Sequence, residues 1–366
     1  MNRPVTVIPG DGIGPECTEA TRRVLAATGV AIDWIEHRLG VAADTDPLPA
    51  AALESIRRTG VALKGPISLP PGGRSVNIAL KHHLDLFVQA RPVSSLPGAP
   101  GLHAGVDLVV LRETTEDFYA GIEFDADSGQ ATALLGLLAE MGRPLPAGSA
   151  VSLKHTTALG ARRMLDFSFR YARGNGRQRV TVVHKSAVTR STDGLFLAVA
   201  RDVATGYPDI EIDELAVDAA AAQLARAPAE LDVLVMPGQY GDILSDLAAA
   251  VVGGVGLAPG ANYGADIAMF EAVHGTAPRH AGRDRANPMA LILSGALLLD
   301  HIGHPGPAAS VRHAVAAVVR DGRHLTYDIA RAHPPVGTAR VTEEIIRRLD
   351  QPPDEHRQQP PRLALR

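Results

Sequence analysis

The stretch L-D-V-L-V-M-P-G-Q-Y-G-D-I-L-S-D, Leu231 to Asp246, decides the fold class. Leu231 to Met236 is a short apolar run bounded by turn residues, the pattern of a buried strand, and Pro237-Gly238 ends it. The residues after that turn have helical spacing: Asp242 and Asp246 stand four residues apart, which on a helix brings both carboxylates onto one face. A buried strand that passes through a tight turn into a helix is one unit of an α/β sheet, and such sheets place their chemistry at the carboxyl ends of strands. The two acids fall at that edge. Two hard anionic oxygens this close repel unless a cation or base lies between them, which marks the pair as half of a Mg²⁺ or Mn²⁺ site. The spacing alone leaves open a pair of solvated acids at a helix start.

Outward from this unit, strand-like runs alternate with longer helical patterns, as at Val106 to Leu111 and Val180 to Val183, and carry the α/β reading along the chain. Leu134 to Met141 reads as a short amphipathic helix on an excursion closed by Pro144 and Pro146, and Ala219 to Ala225 as a helix-favouring alanine run. Glycine and proline punctuate at Gly65-Pro66, Pro70 to Gly73, Pro97 to Gly101 and Gly253 to Gly260, which are turns rather than linkers. The tail from Gln351 to Arg366, rich in Pro, Gln and Arg, is expected to be disordered and to carry no chemistry.

At 366 residues the chain has the length of about two domains. Its formal net charge of −4 gives no electrostatic case for nucleic acid or a membrane surface as partner, and no apolar stretch reaches the ~18 residues of a membrane span. The single cysteine, Cys17, excludes an internal disulfide, suits a reducing compartment and is expected to be buried. The N-terminus enters a strand, Val5 to Ile8, without a basic and apolar leader, so the expected location is the cytoplasm.

P-G-D-G-I-G-P-E, Pro9 to Glu16, invites a dinucleotide fingerprint but fails it. The glycines are spaced G-x-G-x-G, Pro15 falls where the third glycine belongs, and a tight turn between strand and helix accounts for them. S-V-N-I-A-L-K-H-H-L-D-L-F-V-Q-A-R-P, Ser75 to Pro92, is more informative. It supplies Ser75, Asn77, Lys81 and Arg91, and L-R-E-T-T-E-D-F-Y-A-G-I-E adds Arg112 and Tyr119. Three cations and two small polar groups suit a polycarboxylate, because guanidinium forks match carboxylates in a bidentate way.

Together these segments resemble the isocitrate and isopropylmalate dehydrogenases, a family of β-decarboxylating dehydrogenases, over roughly residues 4 to 348. The resemblance rests on S-V-N-I-A-L-K, R-E-T-T-E-D-F-Y-A-G-I-E, V-H-K-S-A-V at Val183 to Val188, Y-G-D-I-L-S-D, H-G-T-A-P and A-N-P, in that order. The excursion from Phe124 to Gly142 is similar to a segment of bacterial NADP-dependent isocitrate dehydrogenases. The resemblance implies a two-domain α/β fold with a central mixed sheet and no standard Rossmann unit. Residues 1–90 and 254–350 would form a large cofactor-binding domain, and residues 91–253 a small domain with the dimer contacts. It further implies a homodimer with shared active sites. Asp242 and Asp246 of one copy, together with Asp218 of the other, hold Mg²⁺ or Mn²⁺ in this reading, while Arg91, Arg112 and Lys81 grip the carboxylates of a hydroxy-polycarboxylate, with Ser75 and Asn77 near its distal group. Lys185 from the partner takes the hydroxyl proton, and Tyr119 protonates the carbon that loses CO₂.

The same resemblance assigns the nucleotide to F-E-A-V-H-G-T-A-P and the residues after it: His274, Gly275, Thr276 and Ala277 around adenine and ribose, with Asn287 turned to the adenine. A histidine before Gly275 can equally fix its loop through backbone hydrogen bonds. NAD-using relatives place an aspartate directly after H-G-T-A-P, where it meets the ribose hydroxyls. Here that slot holds Arg279, followed by His280, and L-T-Y-D-I-A-R supplies Tyr327 and Arg331. By its resemblance to bacterial NADP-dependent isocitrate dehydrogenases, whose spacing it matches, this set would be a phosphate clamp favouring NADP over NAD; without that resemblance Arg279 and Arg331 read as surface residues.

Two departures bear on the substrate. Isocitrate dehydrogenases carry arginine where this chain has Lys81, and lysine keeps the charge but loses the planar fork. Leu69 stands where bacterial enzymes offer a second hydroxyl beside the one matched by Ser68. The expected reaction is therefore oxidative decarboxylation of a 2-hydroxy-3-carboxy acid, isocitrate first. Homoisocitrate, 3-isopropylmalate or a phosphonate-bearing malate is the alternative, although the polar Ser75 and Asn77 speak against an isopropyl group. A non-catalytic regulatory subunit is the competing class.

Overall fold

The computed structural model describes residues 2–40, 46–68 and 75–349. The tail from Gln351 and the loop residue Leu69 lie outside them, as does the turn Pro70 to Gly73. Ten strands form one mixed sheet: β1 (Arg3–Ile8), β2 (Ile32–Glu36), β3 (Val61–Lys64), β4 (Val88–Ser94), β5 (Asp107–Glu113), β8 (Arg179–His184), β9 (Glu211–Ala216), β10 (Val233–Met236), β11 (Pro259–Tyr263) and β12 (Ala268–Ala272). Two short strands, β6 (Glu123–Phe124) and β7 (Val151–Ser152), pair separately and bracket the helix Gly129–Glu140. The excursion helix thus starts earlier than its leucines suggest, because Ser128 caps it by accepting the Ala131 N–H at 3.1 Å.

The sheet order is β2-β1-β3-β12-β11-β4-β5-β10-β8-β9. Both flanks are parallel and connected through helices, whereas the centre, β12-β11-β4-β5, is antiparallel. The expected mixed α/β sheet is what the chain forms. One flank, β2-β1-β3, comes from the N-terminal part of the chain and the other, β10-β8-β9, from its middle, while the centre pairs β4 and β5 with β11 and β12 and so brings distant motifs together.

Leu231 to Met236 ends as a fully buried strand, β10, and the helix Gly238–Val252 follows at once. Gly241 is required there: a Cβ on it would lie 2.3 Å from Cβ of Arg112, so only glycine lets the helix approach β5. The turn at Pro9 to Gly14 also needs its glycines for close packing. Gly12, at φ +60°, would place a Cβ 2.1 Å from the Thr276 carbonyl oxygen, and the Ile13 N–H donates to that same oxygen at 2.9 Å. Cys17 is fully buried among apolar side chains. Among the described residues, no helix is long and apolar enough to cross a membrane.

Candidate active site

Strand alternation builds the floor of the site. In β4 the side chains of Val88 and Ala90 are buried on one face, which sends Gln89 and Arg91 to the other. Register places Arg112 of β5 opposite Gln89, and Glu271 of β12 beside Lys64 of β3. A polar stripe therefore crosses several strands on one face of an apolar sheet. Lys64, Gln89 and Glu271 were not among the expected site residues. The detectable signal was a polar residue at alternate positions of runs otherwise apolar, V-Q-A-R and M-F-E-A.

Above this floor is a cleft of about 280 Å³ lined by Lys64, Ser75, Asn77, Lys81, Arg91, Arg112, Tyr119, Asp242, Glu271, His274 and Gly275, among others. Arg91 donates to Asp246 Oδ1 at 2.8 Å and Asp242 Oδ1 at 3.1 Å. Arg112 meets Asp242 at 3.1 Å, donates to Gln89 at 2.8 Å, and lies 4.9 Å from the Tyr119 ring centre. Both arginines are buried while the two acids remain about half exposed. Asp242 feels burial first, which opposes its charge, but Arg112, the hydrogen bond from Tyr119 and Arg91 hold it below the ordinary aspartate range.

Glu271 is the anionic centre of the floor. It pairs with Lys64 at 2.7 Å and Lys81 at 3.5 Å and accepts from Asn262 at 2.8 Å and Gln89 at 3.1 Å. Burial works against its charge, yet Lys64 and Lys81 together keep it well below the usual glutamate range. Lys81 is affected oppositely. Burial comes first, Glu271 resists it, and Arg112, Arg91 and Lys64 add to it, so Lys81 falls to about 7. Ser75 caps the helix Val76–His83, accepting the Ile78 N–H at 3.4 Å, and Asn77 Oδ1 is buried without a partner among the described residues.

The acid pair fits a divalent cation by donor chemistry: hard carboxylate oxygens one helical turn apart and about half exposed, with Asp242 on the cleft lining. Asp218 does not join them within the chain. It lies in the first turn of the helix Val217–Arg226 and pairs with Lys185 at 2.5 Å, with both side chains at least a third exposed. Neither residue lines the cleft. Among the described residues, the trio with atoms close enough to surround an ion is Asp321, His324 and Glu344. Its carboxylates are already paired with Arg323, Arg347 and Arg348, so it is an ion-pair cluster.

Of the nucleotide candidates, His274 and Gly275 line the cleft. His274 Nδ1 lies 3.0 Å from the Gly275 carbonyl oxygen, and burial lowers its pKa; Nε2 has no partner among the described residues. Thr276 Oγ1 lies 3.1 Å from Ser68 Oγ, and Ala277 takes the left-handed conformation that turns the chain into Pro278–His280. His280 and Tyr327 lie with ring centres 5.1 Å apart and planes tilted by 36°, with a 3.3 Å polar contact, and Arg285, unforeseen from the sequence, lies 5.0 Å from the Tyr327 ring centre. Arg279 and Arg331 are exposed. Asn287 is buried, donating to Asp328 at 3.0 Å and accepting the Met289 N–H at 3.0 Å.

Comparison with known proteins places this arrangement. Residues 4–345 match the isocitrate/isopropylmalate dehydrogenase family model. The chain is 41% identical over 332 residues to the isocitrate dehydrogenase [NAD] catalytic subunit 5, mitochondrial, of Arabidopsis thaliana, covering 88% of this chain and 83% of that protein. It is 39% identical over 348 residues to a mitochondrial isocitrate dehydrogenase [NAD] regulatory subunit of Dictyostelium discoideum, covering 94% and 91%. The crystal structure of isocitrate dehydrogenase from Methylococcus capsulatus superposes with a TM-score of 0.87 at 43% identity, covering 96% of this chain and all of that one. The chain belongs to the isocitrate/isopropylmalate dehydrogenase family.

Proposed function

We propose that this protein is a homodimeric, NADP-linked and metal-dependent oxidative decarboxylase of a 2-hydroxy-3-carboxy acid, with isocitrate as its first substrate. The observation that carries the reading is one cleft lined by Lys81, Arg91, Arg112 and Asp242, in which both guanidiniums pair with Asp242 and Arg91 also pairs with Asp246 one helical turn on. Guanidinium forks bind and orient the acid's carboxylates. A divalent ion held by Asp242 and Asp246 supplies a Lewis acid, and a bound nicotinamide supplies the hydride acceptor.

The chain's own groups move the protons. Lys185 accepts the proton of the C2 hydroxyl as C2 is oxidised. The bond to the β-carboxylate then breaks, CO₂ leaves, and Tyr119 gives its phenolic proton to the carbon left behind. Because Lys185 and Asp218 stand apart from the cleft of their own chain, a second copy completes the site. Leu137 and Met141 on the excursion, exposed at 53% and 67%, are apolar surface available to that copy.

The NADP reading departs from the two subunits above, whose names specify NAD. Its support is local: Arg279 and Arg331 are exposed and close in sequence to His280 and Tyr327, whose side chains meet, a cationic set suited to a 2′-phosphate. The test is a panel of isocitrate, homoisocitrate, 3-isopropylmalate, malate, tartrate and phosphonomethyl malate with Mg²⁺ and either nucleotide. Turnover is expected only for acids with a carboxylate β to the carbinol carbon, and faster with NADP⁺. Turnover of malate or tartrate at the isocitrate rate sinks the substrate reading, and an NAD⁺ preference sinks the clamp.

A further inference from the structure

Behind the cleft, outside its lining, lies a second charged cluster that the proposed reaction does not use. Lys154 follows β7, its ammonium at 2.6 Å from Asp193 Oδ1, 3.8 Å from Asp117 Oδ1 and 3.3 Å from the Tyr240 hydroxyl. The same ammonium sits 4.6 Å from the Tyr240 ring centre. The side chains of Asp193, Asp117 and Lys154 are only 0%, 2% and 10% exposed. Burial opposes the charge on both members of the Lys154–Asp193 pair, but their hydrogen bond prevails, holding Asp193 below and Lys154 above the ordinary ranges.

Each carboxylate also grips a backbone amide. Asp193 Oδ2 accepts the Lys185 N–H at 2.7 Å and the Tyr240 hydroxyl at 3.0 Å. Asp117 Oδ2 accepts the Gln239 N–H at 2.9 Å, satisfying a free donor in the first turn of the helix Gly238–Val252. Asp117 reaches that donor from a left-handed backbone, φ 59°, at the start of the short turn Asp117–Ala120 that carries Tyr119. The cluster therefore ties together three segments: the loop bearing Lys185, the turn bearing Tyr119, and the helix start bearing Asp242 two residues beyond Tyr240.

We infer that Lys154 is a positioning residue that, through Asp193 and Asp117, holds Lys185, Tyr119 and Asp242 in register for the reaction proposed above. Apolar residues of the same volume serve stability as well as a buried ion cluster does, so the use of the ions lies in their directionality. Lys185 and Tyr119 belong to different sites in the proposed dimer. One Lys154 thus bears on both: the proton acceptor lent to the partner and the proton donor kept at home. The inference rests on that reading of the reaction, and the two can fail separately.

The test uses the full-length protein and two assays. One is oxidative decarboxylation of the hydroxy acid, which needs both proton steps; the other is decarboxylation of the corresponding 2-oxo-3-carboxy acid with Mg²⁺, which needs the Tyr119 step alone. Lys154→Met is expected to slow both at least tenfold in kcat, while KM for the acids changes less than threefold and one NADPH still binds per subunit. Lys154→Arg, which keeps the charge between the two carboxylates, should recover part of both rates. Asp193→Asn, which keeps the shape, is the second variant should Lys154→Met not fold; its loss should fall mainly on oxidation, since it holds the Lys185 amide. Wild-type rates in either assay for Lys154→Met overturn the inference, as do wild-type rates in both for Asp193→Asn. A wild-type protein inactive in both assays overturns the reaction itself and the inference with it.

Discussion

Tyr119 donates its phenolic hydrogen to Asp242 Oδ2 across 2.6 Å, joining the candidate proton donor to the first candidate metal ligand. Burial pushes the phenol up; Arg112 pulls it back, the Asp242 contact adds to the rise, and the result is about 12. The phenol is therefore protonated throughout the neutral range, as a donor must be.

Replacing Tyr119 by Phe removes the proton and leaves the ring, so the stacking of Arg112 over it at 4.9 Å survives. The expected loss is about 10²- to 10⁴-fold in kcat, the size of a general-acid contribution, with KM for the acid within a few fold. Steady-state kinetics on isocitrate checks this. A variant with wild-type kcat removes Tyr119 from the chemistry.

Asp242→Asn tests the cation site without relying on turnover. Asp242 faces Arg91 and Arg112 and is 43% exposed, so neutralising it costs the fold about 1–2 kcal/mol, less than breaking a fully buried pair. The larger change is in response to metal. Mn²⁺ at millimolar concentration should raise the melting temperature of the wild type and leave that of the variant unmoved, because an ion that binds only the native state stabilises it by mass action. Equal shifts in both proteins contradict the assignment.

Local pattern carried the strand-turn-helix unit at Leu231 to Asp246 and the polar residues of Ser75 to Arg112. Their spacing is short enough for periodicity and register to bring them together. The ten-strand order was not legible, since β11 and β12 reach the centre of the sheet from the distal part of the chain. Glu271 was missed for the same reason: nothing local shows that one acid meets Lys64, Lys81, Gln89 and Asn262. Asn287 shows what local pattern leaves out: besides the adenine contact expected of A-N-P, the fold bonds its amide to Asp328 and to the Met289 N–H, partners that the sequence does not announce. Lys154, in S-L-K-H-T, gave no signal at all, because its partners come from three other segments.

Lys81 predicts a pH dependence. Burial, with help from Arg112, Arg91 and Lys64 and against Glu271, lowers it to about 7, so the free protein gains a pocket cation as pH falls through neutrality and loses it as pH rises. Affinity for the 2-oxo acid product, measured by calorimetry without nucleotide, should weaken about tenfold or more from pH 6 to 8.5. That is the scale of one charge-assisted hydrogen bond. Lys81→Arg keeps its charge over this range and should flatten the profile. An unchanged profile in that variant assigns the dependence to another group.

Nucleotide choice rests on the exposed Arg279 and Arg331. Arg279→Asp replaces an attraction for a 2′-phosphate by a repulsion and offers an acceptor for ribose hydroxyls. The ratio of kcat/KM for NADP⁺ over NAD⁺ should fall at least tenfold, since each charge-assisted contact is worth about 1.5–3 kcal/mol. A ratio that does not move places the phosphate elsewhere.

Sharing of the site between two copies has its own test, because Lys185 and Asp218 pair with each other at 2.5 Å away from the cleft holding Tyr119 and Asp242. A Lys185→Met subunit keeps Tyr119 for its own cleft, and a Tyr119→Phe subunit keeps Lys185 to lend. Each heterodimer therefore contains one intact site and one doubly impaired site. If equal amounts of the two variants are unfolded and refolded together, random pairing makes about half the dimers mixed, and activity should return to about a quarter of wild type. The separately refolded variants should stay near zero. A mixture no more active than its components means that each chain supplies its own lysine, and the two-copy arrangement of the active site is then wrong.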